Sequence, residues 1–417
     1  MAEDESHRPP PPSWIDKKFV ERALKNEDSK SKVRVDAATV DYAIKDGLGY
    51  MSCIFRVVAT IKLDESTSYH ELPLIVKCSN EEEGNLTEVG REFRVFEKEA
   101  LLLCELVPDV HSALRVVEGE RFSPLAARCY LFGRQPVEFL VMEDLSADGF
   151  RLAEAGQPLD YQHCVLALRA YARLHAASAT LLKERPDYRE RCFLPASTDL
   201  QQEFFESMAD KIFKAVAREF RATAGYERYA EKYKNLSKKV VKDYNTYWES
   251  NNHMLNVVMH GDCWKNNFMF KYVGGNPTDI RILDFQFSRM HGPAGDLVYF
   301  LYANASEEVH RHHMEDLLQE YHSTLVGLLR RLGMEQQAEA YTLQEFRNEM
   351  EAAATLGVFY SAMTCLVITS EKYGADFKEF FQGDGSSDSV LENAYKNPTI
   401  MSYLKYLAPI YDKKGLL

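Results

Sequence analysis

The stretch Val257 to Phe287, VVMHGDCWKNNFMFKYVGGNPTDIRILDFQF, constrains the chain more than any other. It reads as two short apolar strands, each running out into acidic or amide side chains. Val257-Val258-Met259 leads to His260-Gly261-Asp262, Asn267 follows five residues after Asp262, and the run Ile280 to Leu283 gives out at Asp284-Phe285-Gln286. A fold that carries this stretch draws a carboxylate, an amide and a second carboxylate together. Turn capping alone accounts for Asp262 and Asn267, because such residues often close turns. It leaves the second apolar strand and its Asp unexplained.

Phosphoryl transfer gives the set a reason. It needs an acceptor for the attacking hydroxyl's proton and hard oxygen ligands for the Mg²⁺ that bridges and neutralises the phosphates. On that reading Asp262 is the base, and Asn267 and Asp284 are the metal ligands. The kinase catalytic loop has the same Asp-to-Asn interval, and its metal-binding Asp also opens a short motif after a later strand.

Composition bounds the alternatives. The 417 residues allow two domains or one large bilobal one, with room for sizeable cores. A formal net charge of −13 argues against a general nucleic-acid surface, though an acidic total can hide a basic phosphate pocket. The eight cysteines (53, 78, 104, 129, 164, 192, 263, 365) are scattered, with no Cys-x-x-Cys pair and mostly apolar neighbours. That pattern predicts buried free thiols in a reducing, cytoplasmic compartment. The start MAEDESHRPPPPSW lacks the basic beginning and apolar core of a signal peptide and reads as a disordered leader over 1–12. The Asn-x-Ser/Thr matches at Asn85, Asn235 and Asn304 are then chance occurrences. Gly357, Ser361 and Thr364 interrupt the apolar run Ala352 to Thr369, which predicts a buried helix rather than a membrane span.

Trp14 to Leu24 has helical spacing, and Val33 to Cys78 changes to β-rich runs that predict an antiparallel sheet. Between the first two runs lies Lys45 to Ser52, with glycines at 47 and 49. It reads either as a phosphate-covering loop making contacts through Gly49 and Ser52, or as an ordinary hairpin. Lys77 ends the apolar strand LPLIV and needs a partner there. Glu99, in the helical run Glu88 to Leu106, is placed to point back at it. The two side chains are either an ion pair that sets the ammonium on the nucleotide's α- and β-phosphates, or a strand-edge lysine and a solvated glutamate. Pro108 is expected to end that helix. Strands at Ala127–Phe132 and Glu138–Met142 follow, the second leading into Glu143-Asp144-Leu145. That exit is either an interlobe hinge whose backbone at Glu143 and Leu145 reads an adenine edge, or an uneventful loop.

The remainder is mainly helical. Tyr161 to Lys183 forms an amphipathic helix with His175 as a structural residue, and 200–250 forms one or two helices broken near Gly225. Lysines 232, 234, 238, 239 and 242 read as the solvated face of the latter. Asp296, near the start of a helix opened by Gly292-Pro293, is placed to cap that helix and to accept backbone hydrogen bonds from the Asp262 loop, two compatible roles. Helices are expected at 305–332 and 343–372, then a flexible segment at 382–388 and a last helix ending near Tyr411. His310, His312 and His313 read as an exposed polar face rather than a metal site. There are no internal repeats.

These residues, in this order, resemble a protein-kinase-like small-molecule phosphotransferase, and most closely the ecdysteroid kinase-like family, relatives of choline kinases and aminoglycoside phosphotransferases. The resemblance rests on Phe96-x-x-Glu99 leading to Pro108, on Val141 to Leu145, on His260-Gly261-Asp262-Cys263-Trp264-Lys265-Asn266-Asn267-Phe268-Met269-Phe270, and on Asp284-Phe285-Gln286. It spans most of 35–410, and Trp264 and Gln286 are distinguishing details of the group. It implies an α+β, bilobal protein-kinase-like fold: a small antiparallel-sheet N-lobe with one main helix at 13–142, a hinge at 143–146, and a large, mostly helical C-lobe at 147–417. It implies Asp262 as base, Asn267 and Asp284 on Mg²⁺, and Lys77 on the ATP phosphates braced by Glu99. Structural support is expected from His260 and Asp296. The Gly47–Ser52 loop is less regular than a kinase glycine loop. No Ala-Pro-Glu segment follows Asp284, which argues against a protein substrate.

The expected activity is ATP-dependent phosphorylation of a hydroxyl on an ecdysteroid or similar lipophilic alcohol. Its aromatic and Met-rich helices at 200–250 and 343–372 suit an apolar acceptor pocket. The alternatives are a choline- or aminoglycoside-type kinase, a xenobiotic-detoxifying kinase, and a nucleotide-binding pseudokinase. No nucleic-acid partner, membrane span or obligatory protein partner is expected.

Overall fold

The computed structural model describes residues 10–25, 33–43, 52–63, 68–79, 90–92, 94–192, 199–250, 253–373, 391 and 394–417. The loop carrying Gly49, the leader up to residue 9 and the 382–388 segment lie outside them. Two compact units emerge, one of residues 1–108 with 126–150, the other of 109–125 with 151–417.

The first unit is a five-stranded antiparallel sheet in the order β1-β2-β3-β5-β4, from β1 (Val33–Tyr42), β2 (Ser52–Leu63), β3 (His70–Ser79), β4 (Cys129–Gly133) and β5 (Phe139–Glu143). Successive side chains on a strand face opposite ways. Phe55, Val57 and Ala59 on β2, Leu74, Val76 and Cys78 on β3, and Phe139 and Val141 on β5 therefore share one buried face. The helix Lys17–Leu24 covers it with Phe19, Val20, Ala23 and Leu24. Eight residues are too few for a helix to persist alone. Burial of Phe19, Val20 and Leu24, roughly 1.5–3 kcal/mol each, and the Asp16 cap on the Phe19 amide at 2.8 Å hold it.

The same alternation turns Lys77 to the opposite face, where a second helical stretch runs. It does not end at Pro108. Val95–Leu101 passes through a π-helical turn, Leu102–Leu106, into Val107–Glu118. A proline ring collides with the carbonyl four residues back in a regular helix. Here the wider turn, closed by the Val107 amide on the Leu102 carbonyl, carries the backbone past that clash.

The second unit holds residues 109–125 through its own partners. The Ile282 amide donates to the Leu125 carbonyl at 2.7 Å, Ser123 donates to Asp279 at 2.8 Å, and Arg173 forks onto Glu118 at 2.8 and 2.7 Å. Short sheets carry the chemistry-bearing loops: β7 (Val257–Met259) pairs with β10 (Arg289–His291), and β6 (Arg151–Leu152), β8 (Phe268–Val273) and β9 (Asn276–Ile282) form a three-stranded sheet. Helices Tyr161–Glu184 and Ala294–Asn304 run through the core, the latter buried at almost every residue.

The helical region 199–249 is three helices, Asp199–Arg221, Glu227–Lys234 and Ser237–Glu249. The expected 305–332 and 343–372 helices are each broken, at His313 and Ala353. His310 is buried rather than exposed, between the Leu301 carbonyl at 3.0 Å and the Tyr403 hydroxyl at 2.8 Å. No helix among the described residues is long and apolar enough to cross a membrane. The α+β class, with an antiparallel-sheet unit and a mainly helical unit, is the one read from the sequence.

Burial pushes His310 down to about 4, and burial with the charges of Arg115, Arg173 and Arg281 does the same to His111, whose Nε2 accepts the Leu125 amide at 2.8 Å. Both rings are neutral in the fold and charge more readily once unfolded. Their stabilisation is complete above pH 6.5 and is lost as pH falls from there towards 4. Unfolding followed at pH 7.5 and pH 5 should show a loss of about 2 kcal/mol per histidine, and His111→Gln, which keeps an acceptor without a charge, should lose less over the same interval.

Candidate active site

Lys77 and Glu99 meet within the first unit. The Lys77 Nζ donates to Glu99 Oε2 at 2.7 Å, and both side chains are buried. Period-two alternation supplies the lysine's direction, and one turn of helix beyond Phe96 supplies the glutamate's. Ser52, the first residue of β2, is also buried.

Beyond β5 the chain enters a short 3₁₀ turn, Leu145–Asp148, capped by Asp144, whose carboxylate also takes Arg56 at 2.7 Å. The Glu143 amide donates to the Arg128 carbonyl at 3.0 Å, and the Arg128 amide goes to the Glu143 side chain at 3.1 Å. The Leu145 carbonyl accepts from Phe150 at 3.2 Å.

In the second unit everything starts from Asp296, fully buried in the first turn of Ala294–Asn304. It accepts from the His260 amide at 2.7 Å, the Gly261 amide at 2.9 Å, the Cys263 thiol at 3.1 Å and His175 Nε2 at 3.1 Å. Burial alone would raise this carboxyl, but the hydrogen bond and charge of His175, with the other donors, hold it below the usual range. The expected brace is present, and His175 is one of its members, backed by the Tyr321 hydroxyl at 2.8 Å.

The loop carries three further restraints. Gly261 sits at φ 82°, and a Cβ there would lie 2.3 Å from the Phe287 carbonyl oxygen, so only glycine fits. His260 Nε2 donates to the Leu283 carbonyl at 2.8 Å, which leaves Nδ1 to accept the Asp262 amide at 3.3 Å. The Leu283 amide donates to the Asn267 carbonyl at 2.8 Å. Leu283 is therefore gripped on both sides, and the next residue is Asp284.

This arrangement brings Asp262, Asn267 and Asp284 together. Asn267 Nδ2 donates to Asp262 Oδ2 at 3.0 Å and to its backbone carbonyl at 2.9 Å, which turns Oδ1 of the amide the other way. The Tyr299 hydroxyl donates to Asp262 Oδ1 at 3.1 Å. Burial keeps that phenol protonated by raising it well above its ordinary value. Burial and then the negative charge of Asp284 push Asp262 up to about 6. Asp284 itself is held in the left-handed region, φ 62° and ψ 68°, a conformation costing about 1–2 kcal/mol for a residue with a Cβ. Two carboxylates and an amide oxygen form a hard oxygen donor set. Mg²⁺ takes one or two carboxylates together with phosphate oxygens and water, rather than an all-protein cage.

Three contributors have no sequence signature. Tyr299 lies 37 residues from Asp262. Lys265, almost wholly buried, donates to the Glu154 and Gln157 carbonyls at 2.9 and 3.0 Å and ties that segment to the loop. Asn304 clamps the Cys263 carbonyl at 2.7 Å. Helical phase would have put Tyr299 and Asn304 on the helix that Asp296 begins, but not against this loop.

Residues 46–334 match the ecdysteroid kinase-like family. The chain belongs to that family. It is a small-molecule kinase, a phosphotransferase with a hydroxyl acceptor. No curated protein matches the chain significantly. Among solved structures, an aminoglycoside 2″-phosphotransferase IIIa with GDP and kanamycin is 12% identical, with TM-score 0.37, over 91% of this chain and 99% of that one. The GDP complex of a point mutant of aminoglycoside 2′-phosphotransferase-IIIa is also 12% identical, with TM-score 0.35, over 92% and 98%.

Replacing Asp296 by Ala would leave four donors unanswered. The Asp296→Ala variant should lose roughly 3–5 kcal/mol in denaturant unfolding, with faster amide exchange at His260 and Gly261. Asp284→Asn removes a like charge from beside Asp262 and should leave the unfolding midpoint unchanged or higher.

Proposed function

We propose that this kinase transfers the γ-phosphoryl group of ATP to a hydroxyl of an ecdysteroid or a similar lipophilic alcohol, with Asp262 as the base. The observation that carries the reading is the way Asp262 is held, one carboxylate oxygen by Tyr299 and the other by Asn267, with its affinity for a proton raised to about 6. A base of that strength is ionised at neutral pH and still takes a proton readily from an alcohol as the bond to phosphorus forms. Tyr299 and Asn267 fix its direction, so the acceptor hydroxyl meets an aligned lone pair.

Asn267 Oδ1 and Asp284 would hold Mg²⁺. When bound, the ion supplies charge neutralisation on the transferring phosphoryl group. The like charges of Asp262 and Asp284, otherwise unfavourable, suit a site for a divalent cation. Lys77, steadied by Glu99, would take the α- and β-phosphates. The Glu143 carbonyl and Leu145 amide would take the adenine edge, and Ser52 and Gly49 would lie along the phosphates.

For the acceptor, rings within the second unit favour a flat apolar alcohol. Tyr299 stacks on Tyr360 with centroids 3.9 Å apart and planes 6° apart. Tyr244, Phe205, Phe359 and Trp248 continue the run, with Phe205 4.2 Å from Tyr244 and 4.7 Å from Phe359, and Tyr244 5.8 Å from Trp248. Such rings cover a fused-ring alcohol through dispersion and excluded water.

A Mg·ATP screen with mass detection, over hydroxysteroids including ecdysteroids, other lipophilic alcohols, choline and an aminoglycoside, tests the reading. A steroid alcohol gaining one phosphoryl group is the expected product. Phosphorylation of choline or the aminoglycoside alone would overturn the acceptor class, and nucleotide binding without any product would point to a pseudokinase. Asp262→Asn should fold and bind Mg·ATP while losing about 10²–10⁴ in kcat, or roughly 3–5 kcal/mol of barrier. Asp284→Asn should weaken Mg·ATP binding instead, and an unchanged affinity by titration calorimetry would remove it from the metal site.

A further inference from the structure

Two cysteines of the first unit meet where its backbone departs from regularity. Cys104 lies in the π-helical turn Leu102–Leu106, and Cys129 opens β4 at the bulge that shifts register between Cys129 and Leu131. π-Turns and β-bulges each re-aim a side chain relative to the regular element, and here both aim at one point. The Sγ atoms are 2.8 Å apart. Cys104 is exposed and Cys129 half-buried, in contrast to the buried, separate thiols expected from the sequence.

The two thiols have different roles. The hydrogen bond from Cys129 lowers Cys104, whereas the same bond together with burial raises Cys129. The accessible sulfur is therefore the nucleophile, and the sheltered one is the resolving partner.

We propose that Cys104 and Cys129 are a reversible dithiol–disulfide couple, a modification site that fastens the helical stretch bearing Glu99 to strand β4. With hydrogen peroxide as oxidant, the Cys104 thiolate attacks one peroxide oxygen. An S–O bond forms, the O–O bond breaks, and hydroxide leaves and is protonated to water. Cys129 sulfur then attacks the sulfenic sulfur and gives up its proton. The second oxygen departs as water, and the peroxide has been reduced by two electrons. A small thiol reverses the reaction by exchange. Glu99 lies five residues before Cys104, and its 2.7 Å bond to Lys77 is made in the same arrangement that brings the sulfurs together. Closing the disulfide therefore requires no departure of Glu99 from Lys77. The oxidised form retains the pair and restrains its helix.

This inference is independent of the substrate reading. Full-length protein treated with stoichiometric hydrogen peroxide should give a Cys104–Cys129 peptide on non-reducing mass mapping, two hydrogens lighter than the reduced pair and restored by dithiothreitol. The oxidised protein should melt several degrees higher than the reduced form. Cys104→Ser, at an exposed position, should fold as the parent does and show neither change. Should Cys129→Ser fail to fold, peroxide-treated Cys104→Ser still isolates the effect. Persistent sulfenic acid or a glutathione adduct at Cys104 without the cross-link would overturn the proposal. So would a linkage confined to Cys53 and Cys78, the directly opposed residues of β2 and β3.

Discussion

The second unit of this molecule depends on one carboxylate that water does not reach. Removing an ion from water costs several kcal/mol even after relaxation. Asp296 offsets that cost only because two amides, a thiol and an imidazole converge on it. Two of these donors are the backbone of His260 and Gly261, so satisfying Asp296 and shaping the loop are the same event. Once His260 is fixed, its ring reaches Leu283 and sets the residue before Asp284. The positions of Asp262 and Asp284 thus follow from a residue that needs no contact with substrate.

The first unit applies the same economy. Lys77 is a buried cation on a strand that alternation alone has turned away from the apolar core, and Glu99 makes that placement tolerable. Removing either partner leaves an uncompensated buried charge, which is why such pairs resist change even where they add little net stability. Stability is given up instead at Asp284, where a left-handed residue and a second negative charge beside Asp262 both oppose folding. Strain of this size persists only where the surroundings over-determine it. The grip on Leu283 from both sides is that over-determination.

What was legible in the sequence follows the range of the interactions. Period-two strands, the Asp262–Asn267 interval and the strand before Asp284 are local patterns, and each produces the element expected of it. Lys77 and Glu99 were open as residues and became a pair only through the curvature of sheet and helix. The expectation for Pro108 failed because a wider helical turn is a backbone solution with no marker in composition. His310 read as surface because its neighbours His312 and His313 are polar, whereas its own partners, Leu301 and Tyr403, come from other helices. Tyr299, Lys265 and Asn304 were missed for the same reason, since each acts on a loop distant in the chain. The exposed Cys104 was missed because spacing in the chain says nothing of a π-turn facing a bulge.

The acceptor region proposed beside Asp262 also bears on how selective such a kinase can be. Apolar contact separates substrates weakly, one methylene being worth about 1–3 kcal/mol, and stacked rings accept many flat molecules of similar width. Selection by 10⁴ or more, roughly, requires a buried polar group that goes unpaired when the wrong acceptor binds. As the proposed base, Asp262 would not supply that discrimination, because any hydroxyl answers a base. Were the rings of Tyr299, Tyr360, Tyr244 and Trp248 to form the proposed acceptor surface, acceptor choice would rest on shape and on the reach of the hydroxyl to Asp262. The proposed site would then be matched to a class of lipophilic alcohols rather than to a single one.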